Sequence, residues 1–307
     1  MAIVTVSPEN GKRLKLAAIA SVITAGSLIL AKLAAWFMTG SVSILASLID
    51  SVMDSLASLI NLLAIRYALQ PADAEHRFGH GKAEPLAGLA QAAFISGSAV
   101  FLVLHAVDRL RYPHSLEHLA TGIGIMVFSI VMTLGLLAIQ RHVIKKTGST
   151  AIRADALHYA TDLLTNVSII LALFLASLGW TWADPVFAIG VAIYIFYSAA
   201  RIGYDAFQIL MDRELPPEIQ GKIRTIALSQ AGVKGIHDLR TRQSGPTRFI
   251  QLHVELDDNL PLTEAHTIAD GVERAIRAAV PGADVIVHED PASRTNQTGR
   301  NKGWSEK

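Results

Sequence analysis

The stretch Ser47-Leu48-Ile49-Asp50-Ser51-Val52-Met53-Asp54 sets two carboxylates four residues apart inside an apolar run, and Leu157-His158-Tyr159-Ala160-Thr161-Asp162 repeats the spacing far along the chain with a histidine in first place. On a helix, positions i and i+4 share one face. Both runs lie in segments long and apolar enough to cross a hydrocarbon core, which needs about 20 helical residues. A carboxylate at the centre of a bilayer costs at least about 2.5–3.5 kcal/mol on insertion scales. Three of them beside a histidine repel one another unless a cation sits among them. Asp50, Asp54, His158 and Asp162 together offer the four nitrogen and oxygen ligands of a tetrahedral, zinc-like site. At ~1.5 Å per residue, Asp54 lies about 20 Å and Asp162 about 24 Å below the outer ends of their helices, so the two pairs can face each other. The competing reading is hydrogen bonding between helices or the lining of a water-filled cavity.

Working outward, six apolar stretches predict transmembrane helices near 14–38, 41–69, 84–110, 119–140, 152–178 and 184–210. The chain has 307 residues, 51% hydrophobic and 17% charged, against about 25% charged in a typical soluble domain. A net charge of +1 gives no reason to expect nucleic acid as a partner, and the absence of cysteine excludes disulfides and thiolate metal sites. The first apolar run is too long for a cleavable signal peptide. Lys12, Arg13 and Lys15 flank the first span, Arg66, Arg77 and Lys82 follow the second, and Arg141, Lys145, Lys146 and Arg153 follow the fourth. Thr39–Ser41 and Gly179–Asp184 carry no basic residue; Arg109 and Arg111 dissent but are outnumbered. Both termini are therefore expected in the cytoplasm. Within the spans, Lys32 is expected to snorkel to the external interface, Asn61, Gln91 and Asn166 to hydrogen-bond between helices, and Gly26, Gly88, Gly97 and Ala92 to let helices approach closely.

After Met211 the composition becomes that of a soluble domain. Pro216-Pro217 starts a helix, and Ile219, Ile223, Ile226 and Ala227 recur at helical spacing. Strand-like runs follow at Ile236–Arg242 and Arg248–Leu256; in the second, Ile250, Leu252, Val254 and Leu256 alternate with Phe249, Gln251, His253 and Glu255. Thr263 is expected to cap a helix, and Asp284–Glu289 makes a last strand. The predicted fold is an all-α membrane bundle of six helices over residues 1–212 plus a cytoplasmic α+β, ferredoxin-like (αββαβ) domain over 213–291. Residues 292–307 read as a disordered polar tail.

Two further groups invite a cation. Between the second and third spans, Asp73, His76 and His80 are spaced so that one turn can present all three, although a plain solvated loop reads equally well. In the soluble domain His237, His253 and His288 fall on or near three strands, and His288-Glu289-Asp290 ends the last of them with an imidazole and two carboxylates. Glu289 and His266 are accessory candidates. His105, His114, His118 and His142 have no acidic partners nearby and stay unassigned.

These motifs resemble those of the cation diffusion facilitators: six spans, Asp-x-x-x-Asp in the second, His-x-x-x-Asp in the fifth and a ferredoxin-like cytoplasmic domain. The resemblance covers residues 12–291 and includes Phe78-Gly79-His80-Gly81-Lys82-Ala83-Glu84, Ala154-Asp155-Ala156-Leu157-His158 and His237-Asp238-Leu239-Arg240-Thr241-Arg242. It implies a homodimer in a bacterial inner membrane that exchanges cytoplasmic divalent metal for external protons by alternating access. It further implies that Asp50, Asp54, His158 and Asp162 form the transport site, Asp73, His76 and His80 the loop site, and His237, His253, His288 and Asp290 a binuclear site at the cytoplasmic dimer interface. Glu289 replaces a glutamine of the family pattern. Lys82 and Asp212 match an intersubunit salt bridge near the membrane surface. Histidine at position 158 goes in this family with zinc and cadmium rather than manganese, so Zn2+ is the expected ion, with cadmium and iron(II) as others. The competing functions are a membrane metal sensor or scaffold without transport, and an intramembrane metalloenzyme. The latter lacks a His-Glu-x-x-His helix and a spare carboxylate base, so no enzyme activity is expected.

Overall fold

The computed structural model describes residues 8–40, 42–111, 119–177 and 183–293. Six long helices come first: α1 (Pro8–Thr39), α2 (Val42–Ala68), α3 (Ala83–Arg111), α4 (Leu119–Thr147), α5 (Thr150–Ser177) and α6 (Ala183–Leu210). Five contain stretches long and apolar enough to cross a membrane: Glu9–Met38, Ser47–Ala68, Ala83–Asp108, Met126–Thr147 and Val186–Leu210. The remaining helix, α5, has a sequence that is apolar over 163–177, beyond Asp162. Large side chains such as Phe37, Phe101 and Tyr197 point outward from the bundle. That is the pattern of a protein solvated by lipid, whose apolar surface needs no burial against protein.

Small residues bring the helices together. Ala17 and Ala18 of α1 pack with Leu62 and Ile65 of α2 and with Ala151 and Ile152 of α5. Ala92, Ile95 and Ala99 of α3 pack with Ala154 of α5 and with Ile195 and Ala199 of α6. Gly88 meets the expectation of close approach: a Cβ there would lie 3.2 Å from the carbonyl carbon of Thr150. Gly26 and Gly97 do not, since a Cβ on either would meet nothing within 4 Å. They occupy open faces of their helices. Lys32 also departs from expectation. Instead of reaching for the interface, its ammonium donates to the carbonyl of Ser47 (3.1 Å) and the hydroxyl of Ser51 (2.6 Å) on α2. Two acceptors within reach on the neighbouring helix remove the reason to snorkel.

A separate compact unit begins at Ile209. It contains α7 (Pro217–Leu228), β1 (Gly235–Ser244), β2 (Thr247–Leu256), α8 (Leu262–Ala279) and β3 (Ala283–Pro291). The sheet order is β1-β2-β3, with β1 antiparallel and β3 parallel to β2, so α8 is the crossover between β2 and β3. Ile250, Leu252 and Val254 of β2 are buried against Ile223 and Ala227 of α7 and Val272 and Ile276 of α8. Phe249, of the set expected to face away from that core, is nevertheless buried, with the Arg242 guanidinium 4.7 Å over its ring. Thr263 does not cap α8. The cap position is Pro261, whose carbonyl takes the amides of Glu264 and Ala265, and Thr263 falls inside the first turn. The β1–β2 register slips between His237 and Arg240, where Asp238 has φ +48°. The polar tail from residue 294, the connection 178–182, and the segment 112–118 with His114 and His118 lie outside the described residues.

Candidate metal centres

Each of the three groups singled out in the sequence supplies a set of ligand atoms lying within 4.8 Å of one another: Asp54, His158 and Asp162; Asp73, His76 and His80; and His237, His253 and Asp290.

The intramembrane set joins α2 to α5. His158 Nε2 lies 3.0 Å from Asp54 Oδ1, but the alignment is too poor for a hydrogen bond, and this buried nitrogen is left without a hydrogen-bond partner. A buried imidazole nitrogen with no partner is costly by itself and suits a cation held between the two side chains. Tyr159 stands edge-on to His158, with ring centroids 5.6 Å apart. Asp50 is exposed and lies outside the set, about one turn from Asp54 on α2.

One turn from His158, α5 carries a residue that appeared above only within a segment of the family resemblance, without a role of its own. Asp155 is fully buried and gathers side chains from four other helices. Gln140 Nε2 of α4 donates to Oδ2 at 2.7 Å, Ser21 of α1 lies 2.5 Å from the same oxygen, and Gln91 Nε2 of α3 and Ser58 of α2 reach Oδ1 at 3.3 and 3.4 Å. Tyr159 extends the group, donating to the carbonyl of Ser21 at 3.1 Å and lying 3.0 Å from Ser58. The sequence signal was a second acid on α5, three residues before the histidine and hence on its face. Gln91 takes the interhelical role expected of it, whereas both polar atoms of the Asn61 side chain are buried without a partner.

The loop set forms between α2 and α3. Asp73 Oδ1 accepts the amides of Glu75 (2.9 Å) and His76 (2.6 Å), closing a turn that brings Oδ2 to 3.3 Å from His80 Nε2 and Oδ1 to 3.4 Å from His76 Nδ1. The amide of His76 is the main cause holding the Asp73 carboxyl below its ordinary value. Gly79, at φ +78°, allows the chain to turn between the two histidines. His80 is buried edge-on to Tyr67, ring centroids 4.5 Å apart, and its Nδ1 has no partner.

The third set follows from strand register. His237 pairs with His253 across the antiparallel ladder, and His253 with His288 across the parallel one, so three imidazoles stand in a row. Their ring centroids are 5.0 and 4.5 Å apart. Asp290, two residues beyond His288 and so on the same face, places Oδ2 at 2.6 Å from His253 Nδ1 and 3.2 Å from His237 Nε2, and Oδ1 at 3.5 Å from His288 Nε2. Burial works to raise the Asp290 carboxyl, but the His253 hydrogen bond and the surrounding imidazoles outweigh it and hold the group below its ordinary value. Glu255 joins from β2, 3.2 Å from His237 Nδ1. Its alternation with the core residues was visible, but its partner was not. Gly235 makes room for it, since a Cβ there would fall 2.5 Å from the Glu255 carboxylate. Glu289 and His266 are paired elsewhere, 3.7 Å apart. Strand alternation turns Glu289 to the helix-covered face, away from His288 and Asp290. Asp212, at φ +57°, lies 3.4 Å from Arg242 of the same chain.

Comparison with known proteins bears on these groups. The cation efflux transmembrane domain matches residues 18–211, and the cation efflux cytoplasmic domain matches residues 215–292. The chain belongs to the cation efflux family. The cation-efflux pump FieF of Klebsiella pneumoniae subsp. pneumoniae is 55% identical over 283 residues, which is 92% of this chain and 94% of that protein. FieF of Salmonella paratyphi A is 54% identical over 290 residues, 94% of this chain and 97% of that protein. A solved chain of CzrB in its Zn form is 34% identical, covers 27% of this chain and 94% of its own length, and gives a TM-score of 0.26. A member of the cation efflux family is a multi-pass membrane transporter, not an enzyme. The helical domain and the small mixed sheet correspond to its two parts.

Proposed function

We propose that the protein exports divalent metal from the cytoplasm in exchange for protons, zinc first, with cadmium and iron(II) as further cargo. The observation that carries this reading is the meeting of Asp54, His158 and Asp162 across α2 and α5 inside the apolar helices. Oxygen and imidazole donors suit zinc-like ions. The same lone pairs bind protons, so metal and protons compete for one site. Imidazole changes charge near neutral pH, which makes His158 the natural carrier. Open to the cytoplasm, the site takes metal and sheds protons; open to the outside, it takes protons and sheds metal. Asp50, the remaining candidate ligand, completes a four-ligand shell when α2 turns or bends toward the ion.

In the same reading residues 1–212 form the translocating domain, 213–291 a cytoplasmic metal-binding domain, and both termini face the cytoplasm of a bacterium whose inner membrane holds the protein. Asp73, His76 and His80 capture metal at the cytoplasmic surface. His237, His253, His288 and Asp290 bind structural zinc that joins two protomers into a homodimer, and Lys82 and Asp212 pair between subunits. Such metal shifts the conformational balance only through differential affinity for the two states. Reconstituted vesicles carrying a metal dye and a pH dye test the whole. Coupled, opposite movement of zinc and protons is the expected result. Zinc binding without flux would instead establish a sensor or scaffold.

A further inference from the structure

The Lys32 ammonium is tied to the face of α2 that carries the transport ligands. Its acceptors, the Ser47 carbonyl and the Ser51 hydroxyl, belong to residues spaced four apart, and Asp54 follows Ser51 by three, so all three share a face. Ser51 also directly follows Asp50. The charges that attract the ammonium are Asp162, Asp54 and Asp50, in that order of strength, and Lys32 is in turn among the charges that Asp162 feels. Among the described residues no carboxylate forms an ion pair with Lys32. It therefore lends charge to the cluster without taking up a ligand oxygen.

Charge arithmetic gives that placement a role. Asp50, Asp54 and Asp162 carry three negative charges, and His158 acts as a neutral ligand. With Lys32 the cluster asks for two positive charges; without it, for three. A net charge within the bilayer is expensive, so the cargo that restores neutrality is favoured. Asp155, held among its donors one turn from His158, carries the same charge with and without Lys32, so the change in preference on removing Lys32 does not depend on it.

We propose that Lys32 is the fixed countercharge of the transport site and sets its preference for divalent over trivalent cations. The inference deepens the transport reading above and rests on its ligand set. Lys32→Gln keeps a donor for Ser51 and removes the charge; Lys32→Arg keeps the charge. Equilibrium competition between Zn2+ and Tb3+ is measured on the purified full-length protein, with Asp54→Ala counterparts subtracted to isolate the membrane site. At an effective dielectric near 20, one missing unit charge about a turn away, roughly 5 Å, changes the ratio of trivalent to divalent affinity on the order of a hundredfold. Lys32→Gln is expected to shift the ratio toward terbium by that amount and Lys32→Arg to leave it at the parent value. An unchanged ratio in Lys32→Gln, or equal shifts in both variants, overturns the proposal. Because binding is read without flux, absence of zinc–proton exchange would defeat the transport reading while leaving this result standing. Loss of Asp54-dependent binding from the parent would defeat both.

Discussion

His158 Nε2 stands 3.0 Å from Asp54 Oδ1, joining the fifth helix to the second inside the membrane domain. Removing either side of such a site leaves the other ligands without a shared cation. His158→Ala and Asp162→Ala are each expected to abolish zinc-driven proton movement in proteoliposomes while the protein still inserts and purifies. Coupled exchange at the parent rate in either variant would remove these residues from the transport site. His158→Asp, which swaps nitrogen for oxygen, is expected to admit manganese, read as manganese flux in the same vesicles.

Asp155 is the acceptor on which side chains from four other helices converge. Asp155→Ala leaves Gln91, Gln140 and Ser21 buried without that partner, and each such group costs about 1–3 kcal/mol. A marked fall in the thermal midpoint of the detergent-solubilised protein is expected. A midpoint within error of the parent would mean that water replaces the carboxylate without penalty.

The low-lying carboxyl of Asp290 has a consequence for acid stability. Its folded value is depressed below the unfolded one, so its contribution is fully present above the ordinary aspartate range, about 3.9. The contribution is lost as pH falls through the depressed folded value. With metal chelated, the strands around Asp290 should therefore resist acid through that range and loosen only below it, as followed by hydrogen exchange at β3. In Asp290→Asn this part of the pH dependence should vanish.

Gly282 has φ +73°, and a Cβ on it would lie 2.7 Å from the Pro246 carbonyl oxygen. Gly282→Ala combines a disfavoured backbone with a clash against main chain. A loss on the order of 1–3 kcal/mol is expected from the backbone term alone. Chemical denaturation monitored in the soluble unit measures it, and a neutral result would show that the turn relaxes.

Much of this architecture was legible because membrane spans and metal ligands leave coarse marks. The i,i+4 pairs on α2 and α5 and the Asp73, His76, His80 spacing pointed to clusters that the fold brings together, except for Asp50, which lies outside the set. The αββαβ order followed from alternation at Ile250, Leu252, Val254 and Leu256. What escaped was decided by neighbours distant in sequence. Lys32 read as a snorkelling lysine because nothing local revealed Ser47 and Ser51 across the helix pair. Asp155 could be seen as an acid but not as a meeting point, since its donors are scattered over α1 to α4. Glu289 sits beside two ligands in sequence, and only the period of two in a strand turns it to the other face. Thr263 had the chemistry of a cap, but Pro261 starts the helix two residues earlier.

The order of the sheet carries one more consequence, for the life of the chain before it is complete. His253 lies in the central strand, while His288 and Asp290 lie in β3, the last of the described strands to be synthesised, which pairs with it only after the α8 crossover. Contacts of such sequence separation form late. A ribosome-bound protein thus has its long apolar helices, and the histidine and two acids meeting between them, well before the cluster on the sheet can assemble. In the proposed reading, metal held by His253 and Asp290 together reports that β3 has paired with β2.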